Sequence, residues 1–193
     1  MAGQVSVTDS AALAAFAAQV TERYGRLDVL VNNAGITTPV AHKDLAALSD
    51  EWIDRIFATN WRGAFATIRA FQPLLAQGDG GVIINLSSVA AVTGIGSNVA
   101  YCASKAAMDS MTRSLARALV PKIRVVSVSP GWVLGEYATR MDPAYLQAQI
   151  DATPLKRLAT PTDVANTIWA VVTTLTTSTG CIIPVDGGRP LGG

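Results

Sequence analysis

Tyr101 and Lys105 lie four residues apart in a stretch whose apolar residues recur at helical spacing, so both side chains project from one helix face. A free tyrosine has a pKa of about 10 and is a poor acid–base group at neutral pH. An ammonium one helical turn away favours the phenolate and draws that pKa toward the working range, making the pair a proton donor and acceptor. Ser88 stands a short loop upstream, just after an apolar run. A loop turning back from that strand end brings its hydroxyl toward the helix. There it can donate a hydrogen bond to an oxygen on which negative charge develops, worth about 3 kcal/mol in a dry site.

The elements that must hold these groups follow from the period of the apolar pattern. Residues 5–7 read as the end of a strand. Asp9 or Ser10 then caps a helix with Leu13, Phe16, Ala17, Val20 and Tyr24 at helical spacing, stopped by Gly25. Residues 27–32 form a β-branched-rich run, the pattern of a strand buried on both faces. Ser49 caps a long helix through Trp52, Ile56, Phe57, Ile68 and Phe71 that ends near Pro73 and Gly78. Strands at 82–86, 123–128 and 181–185 alternate with helices at 99–120 and from Pro161 onward. The last of these is opened by Thr160 with Pro161 in the first helical position. Such alternation predicts an α/β fold, a doubly wound parallel sheet covered on both faces. Chemistry in these sheets lies beyond the carboxyl ends of the strands. Three clusters stand at those ends: Asn32-Asn33-Ala34-Gly35, Ser87-Ser88 and Pro130-Gly131.

Composition narrows the classes. The chain has 193 residues, 50% hydrophobic and 15% charged, with a formal net charge of +1. That predicts one domain, residues 1–193, with a sizeable core, and argues against disorder and against a nucleic-acid surface. His42 is the only histidine, and Cys102 and Cys181 are far apart, so the usual zinc spacings and a disulfide framework are both missing. The start of the chain has neither the basic nor the apolar region of a signal peptide, and no apolar run reaches the ~20 residues of a membrane helix. The expectation is a cytoplasmic protein with no metal and no membrane partner. Ser88 also lacks the Gly-x-Ser-x-Gly elbow of a serine hydrolase, whose base could only be His42.

With these pieces in order, the sequence resembles the short-chain dehydrogenase/reductase family, in particular its 3-oxoacyl-carrier-protein reductase branch. The matching pieces are Asn32-Asn33-Ala34-Gly35, Asn60 within Thr59-Asn60-Trp61, Asn85-Leu86-Ser87-Ser88, Tyr101-Cys102-Ala103-Ser104-Lys105, Ser129-Pro130-Gly131-Trp132-Val133 and Val185-Asp186-Gly187-Gly188. The resemblance covers essentially the whole chain. It implies a Rossmann-like fold, NAD or NADP as cofactor, and interconversion of a secondary alcohol and a ketone, with a 3-oxoacyl thioester as one candidate. Tyr101 would be the acid/base and Ser88 the hydrogen-bond donor to the substrate oxygen. Lys105 would also hold the nicotinamide ribose, and Asn60 a water leading from Lys105 to solvent. Val7, Asn33, Ala34 and Gly35 would line the adenosine side, and Pro130, Gly131 and Val133 the wall behind nicotinamide. A substrate lid would span about 135–159, carrying Glu136, Arg140 and Asp142. Pairing of the two long helices across a two-fold axis would make a homo-oligomer, a dimer or tetramer.

Two departures from the family pattern bear on activity. The family begins with a strand, a glycine-rich turn and a helix, then a second strand and helix. On that pattern the fold is expected to be N-terminally truncated, by about 60 residues at ~30 per crossover unit. The glycine-rich turn cradles the pyrophosphate, so its loss predicts weak dinucleotide binding, and the strand at 27–32 is left as an apolar edge. Gly94-Ile95-Gly96 is not a substitute, because no third glycine follows at the required offset. Gly135 also replaces the threonine that often contacts the nicotinamide carboxamide. An alternative expectation is therefore a catalytically weak or inactive member acting as an interaction protein through its uncovered sheet edge.

Overall fold

The computed structural model describes residues 1–135, 138 and 141–191. Its centre is a four-stranded, all-parallel sheet in the order β1 (Val29–Asn32), β2 (Gly81–Leu86), β3 (Ile123–Pro130), β4 (Ile182–Val185). Residues 5–7 are not a strand. A strand exists only as one member of a pair, and among the described residues no strand lies beside them. β1 is likewise shorter than the 27–32 expected from sequence and is paired on one side only, with β2. Its Val31 is 38% exposed.

Helices cover both faces, as a parallel sheet requires. On one face lie α1 (Ser10–Tyr24), α3 (Ala64–Leu75) and α5 (Val99–Ala118); on the other lies α7 (Pro161–Thr173). Ile83, Ile123 and Val125 meet Ile68, Met108 and Met111 on the first face. The alternate strand residues Val82, Ile84, Val126 and Val128 meet Val171, Val164 and Ile168 on the second. The caps explain the helix starts: Asp9 accepts from the Ala11 and Ala12 amides, and Thr160 and Asp163 form a reciprocal capping box. The long helix opened by Ser49 runs as α2 (Asp50–Phe57), a π-helical turn (Ala58–Gly63) and α3. Two helices escaped the sequence reading: the single turn α4 (Ala90–Thr93) and α6 (Pro143–Asp151).

Near the carboxyl ends of the strands, one register row of the sheet is polar. Asn32 pairs with Asn85, and Asn85 with Ser127. Asn32 Nδ2 donates to Asn85 Oδ1 at 2.9 Å, and Asn85 Nδ2 donates to Thr112 Oγ1 of α5 at 2.8 Å. The Thr112 and Ser127 hydroxyls share a bond of 2.8 Å. All four residues are buried. This row fastens α5 at a fixed height above the sheet. Asn85→Ala would leave the Asn32 amide without a partner and Thr112 short of one, and is expected to lower stability by about 2–4 kcal/mol. A urea melt checks this, and a loss below about 1 kcal/mol would mean the row does not hold the helix.

Candidate active site

The first turn of α5 is positioned by two buried asparagines. Asn98, extended at φ −168°, caps the helix: its Oδ1 accepts from the Tyr101 amide at 2.7 Å. Its Nδ2 donates to the Thr38 carbonyl at 2.7 Å and to Thr37 Oγ1 at 3.2 Å, tying helix to loop. Asn60, in the π-helical turn, accepts from the Ile36 amide at 2.8 Å and donates to the Ile36 carbonyl at 3.0 Å and Ser104 Oγ at 3.1 Å. Val40 N–H donates to the Ser97 carbonyl at 2.9 Å, and His42 Nε2 lies 3.0 Å from the Gly96 carbonyl, so His42 is a loop fastener.

Ser88, Tyr101 and Lys105 face one cleft of about 570 Å³, together with Asn33, Gly35, Pro130, Gly131 and Val133. Three expected residues stand apart from it. Asn60 is wholly buried behind the loop, with both Nδ2 hydrogens committed. Ala34 is exposed and does not line the cleft. Val7 packs against Gly63, where an added Cβ would lie 2.7 Å from Val7 Cγ2. The sequence reading missed the wall opposite, formed by Ile36 and Thr37 and by Pro161, Val164, Ala165 and Ile168 of α7. Its signal was the Thr160 capping box, which starts α7 beside the strand ends. Ser87 is buried, its hydroxyl donating to the Lys105 carbonyl. Ser88 also accepts from the Ala90 amide at 3.2 Å, which fixes its hydroxyl at the head of α4.

Lys105 is 5% exposed, and its Nζ donates to the Leu86 carbonyl at 2.6 Å and lies 5.7 Å from the Tyr101 ring centroid. Burial lowers its pKa to about 8, and the Asp109 carboxylate works the other way. Tyr101 differs from the sequence expectation. Its pKa is raised, by burial first, with the Ser88 hydroxyl drawing it down and Cys102 adding a small increase. Desolvation of the phenolate outweighs the Ser88 hydrogen bond, while the Lys105 ammonium is engaged by a main-chain carbonyl.

Gly94 and Gly96 hold no phosphate cradle. Gly94 ends α4 at φ +66°, and Gly96 lets the chain pass close to α5, where an added Cβ would lie 2.9 Å from Cys102 Sγ. In the segment expected to form a lid, a bridge between Val133 and Ala159 pins the base, and Trp132 packs edge-on against Tyr145 of α6. Asp142 caps α6, while Glu136 and Arg140 lie outside the described residues. Among the described residues, no helix is long and apolar enough to cross a membrane, and no cluster of His, Cys, Asp and Glu could hold a metal ion.

A parallel sheet wrapped by helices on both faces, with a serine, tyrosine and lysine converging beyond its carboxyl ends, defines a Rossmann-like α/β protein. Comparison with known proteins agrees and is more specific. A family model described as enoyl-(acyl carrier protein) reductase matches residues 2–189. A granaticin polyketide synthase ketoacyl reductase of Streptomyces violaceoruber is 38% identical over 172 residues, 88% of this chain and 69% of that protein. The 3-oxoacyl-(acyl-carrier-protein) reductase FabG of Staphylococcus aureus is 34% identical over 187 residues, 96% of this chain and 75% of that protein. Among solved structures, a short-chain dehydrogenase/reductase from Burkholderia xenovorans superposes with a TM-score of 0.89 at 33% identity, covering 96% of this chain and 74% of that one. The structure titled ElxO with NADP bound superposes with a TM-score of 0.90 at 25% identity, covering 98% and 77%. The chain belongs to the short-chain dehydrogenase/reductase family of oxidoreductases.

The two asparagine clamps are open to direct test. Asn98→Ala removes a helix cap and two ties to the loop, and is expected to cost about 1–3 kcal/mol. Hydrogen exchange should quicken at the Val40 and Tyr101 amides; unchanged protection at both would show that Asn98 does not order this side of the cleft.

Proposed function

We propose that this chain carries the catalytic half of an NAD(P)-dependent oxidoreductase interconverting a secondary alcohol and a ketone, with a 3-oxoacyl thioester as the ketone. The observation that carries the reading is the convergence of Ser88, Tyr101 and Lys105 on one cleft. The family membership supports it, as do the relatives named ketoacyl and 3-oxoacyl reductases and the relative holding NADP.

The cleft suits the nicotinamide end of a dinucleotide. Gly35 leaves open the space beside Lys105, since a Cβ there would sit 3.7 Å from Lys105 Nζ. Lys105 and Tyr101 would hold the ribose, Pro130, Gly131 and Val133 would back the ring, and Asn33, Ala34, Gly35 and Val7 would serve the adenosine side. When bound, the nicotinamide gives or takes the hydride. The chain's own part is to handle the substrate oxygen. Ser88 donates a hydrogen bond to that oxygen as negative charge grows on it, and Tyr101 Oη delivers the proton. Val164 and Ile168 make that side of the cleft apolar, which keeps competing water from the reacting oxygen. Asn60 holds the Ile36 loop against α5, with the spare lone pair of its Oδ1 available to a water near Lys105. The segment 135–159 acts as the substrate lid, hinged at the Val133–Ala159 bridge. The same proposal places the protein in the cytoplasm as a dimer or tetramer through α2–α3 and α5.

An assay of 3-oxoacyl thioester reduction with NADPH and with NADH tests the reading. Tyr101→Phe is expected to lower turnover by about 10²–10⁴-fold while cofactor affinity changes little. A phenylalanine variant that keeps turnover within about twofold of the parent would end the assignment.

Gly135 offers a second test. Nothing lies within 4 Å of an added Cβ there. Gly135→Thr is therefore expected to fold normally and to tighten cofactor binding by about 2–12-fold, the worth of one neutral hydrogen bond. Calorimetric titration reads this directly, and unchanged affinity would place the carboxamide elsewhere.

A further inference from the structure

One buried ionisable group has no part in the chemistry above. Asp109 lies on α5 one turn beyond Lys105, is 3% exposed, and its Oδ1 has no hydrogen-bond partner among the described residues. An uncompensated carboxylate at such depth is costly. Its surroundings account for it. Lys105 and Arg113 face it from α5, Ser87 from the loop after β2, and Ser127 from the polar row of β3. Burial pushes the carboxyl up, and those two hydroxyls and two cations offset this only in part, so it stays above its ordinary value. In the other direction, Asp109 is, among the described residues, the charge that supports Lys105 against its own burial. Lys105 and Asp109 lie four residues apart on one helix face, both buried and not in direct ion-pair contact, so each charge acts on the other through the protein interior.

We infer that Asp109 is a positioning residue whose carboxylate is the counter-ion keeping Lys105 an ammonium inside the cleft, an inference that rests on Lys105 serving the reaction proposed above. The effect falls where it matters. With a midpoint of about 8, Lys105 is about three-quarters charged at pH 7.5. One unit lower, about one quarter would remain charged, and the site would lose most of the cation that holds the ribose and faces Tyr101. Arg113 cannot substitute, because it repels the lysine charge instead of supporting it.

The test is an NMR titration of the full chain carrying 13Cε-labelled lysine, with the Lys105 resonance assigned by its loss in Lys105→Arg. Neither cofactor nor substrate is needed, so an inactive chain still gives a clear answer. Failure of the oxidoreductase reading, decided by Tyr101→Phe, stays separate from failure of this inference. The unaltered chain is expected to titrate at about 8. Asp109→Asn, nearly identical in shape, should lower that midpoint by about half a unit or more, and Asp109→Glu should return most of the difference. A shift smaller than about 0.2 units in the asparagine variant would overturn the inference and leave Asp109 as polar packing between Ser87 and Ser127. If that variant does not fold, the unaltered chain decides. The Asp109 13Cγ resonance should sit in its ionised position at pH 7 and move again as Lys105 loses its proton. A protonated carboxyl at pH 7 would overturn the inference.

Discussion

The meeting of Ser88, Tyr101 and Lys105 in one cleft depends on α5 being held at one height over the ends of β2 and β3. Apolar packing alone does not set that height. Met108 and Met111 against Ile83 and Val125 supply burial, but methionine contacts adapt to small slides. Directional bonds remove the freedom. Asn85 reaches from the sheet to Thr112, Thr112 shares a hydrogen bond with Ser127, and Lys105 reaches back to the Leu86 carbonyl at 2.6 Å. A slide by one residue along the helix would strand several buried polar atoms at once, at about 1–3 kcal/mol each. The polar row therefore acts as a ruler. It sits one residue before the end of β2, so Ser88 emerges from β2 at the level where Tyr101 leaves the first turn of α5.

A second set of bonds closes the cleft from the other side. The loop after β1 has no buried side chain to anchor it, yet it must line the cleft with Asn33 and Gly35. Asn60 and Asn98 hold it by main-chain atoms, at Ile36 and Thr38. Because these ties go to main-chain groups, with Thr37 the one side chain also engaged by Asn98, the Asn33 and Ile36 side chains are left to face the cleft. The π-helical turn that carries Asn60 is part of the same arrangement, since one extra residue per turn re-aims a side chain without ending the helix.

The sequence made the helices α1, α5 and α7 legible, because their apolar residues recur at helical spacing and the starts of α1 and α7 carry Asp9 and Thr160. It also made Ser88, Tyr101 and Lys105 legible as one group, since helix geometry and strand-end placement are local properties. What it hid was tertiary. Residues 5–7 have strand composition, but a strand needs a partner, and composition says nothing of partners. Helix α6 has no buried residue and so no apolar stripe to read; only Asp142 followed by Pro143 marks its start. Ala34 stands beside Gly35 in the sequence motif, but the turn of the chain leaves it outside the cleft. Asp109 reads from sequence as an ordinary charged helix residue. Its burial depends on the face of α5 that Thr112 docks against the sheet.

The direction of the Tyr101 shift was hidden for the same reason, and it changes how the pair works. Desolvation acts on both groups, but on opposite charge states: it holds the proton on Tyr101 and loosens the one on Lys105. At neutral pH the resting site is therefore a phenol beside an ammonium. Under the proposed reaction that pairing would favour reduction, since the phenol already carries the proton a nascent alkoxide needs. Oxidation of an alcohol asks for the reverse, a phenolate to accept a proton, and burial opposes it. Raising the pH to produce phenolate passes first through about 8, where Lys105 gives up its charge. The cation is thus lost before the base is gained. Under the proposed reaction this resting cleft would deliver protons more readily than it accepts them, and oxidation would call for further positive charge near Tyr101.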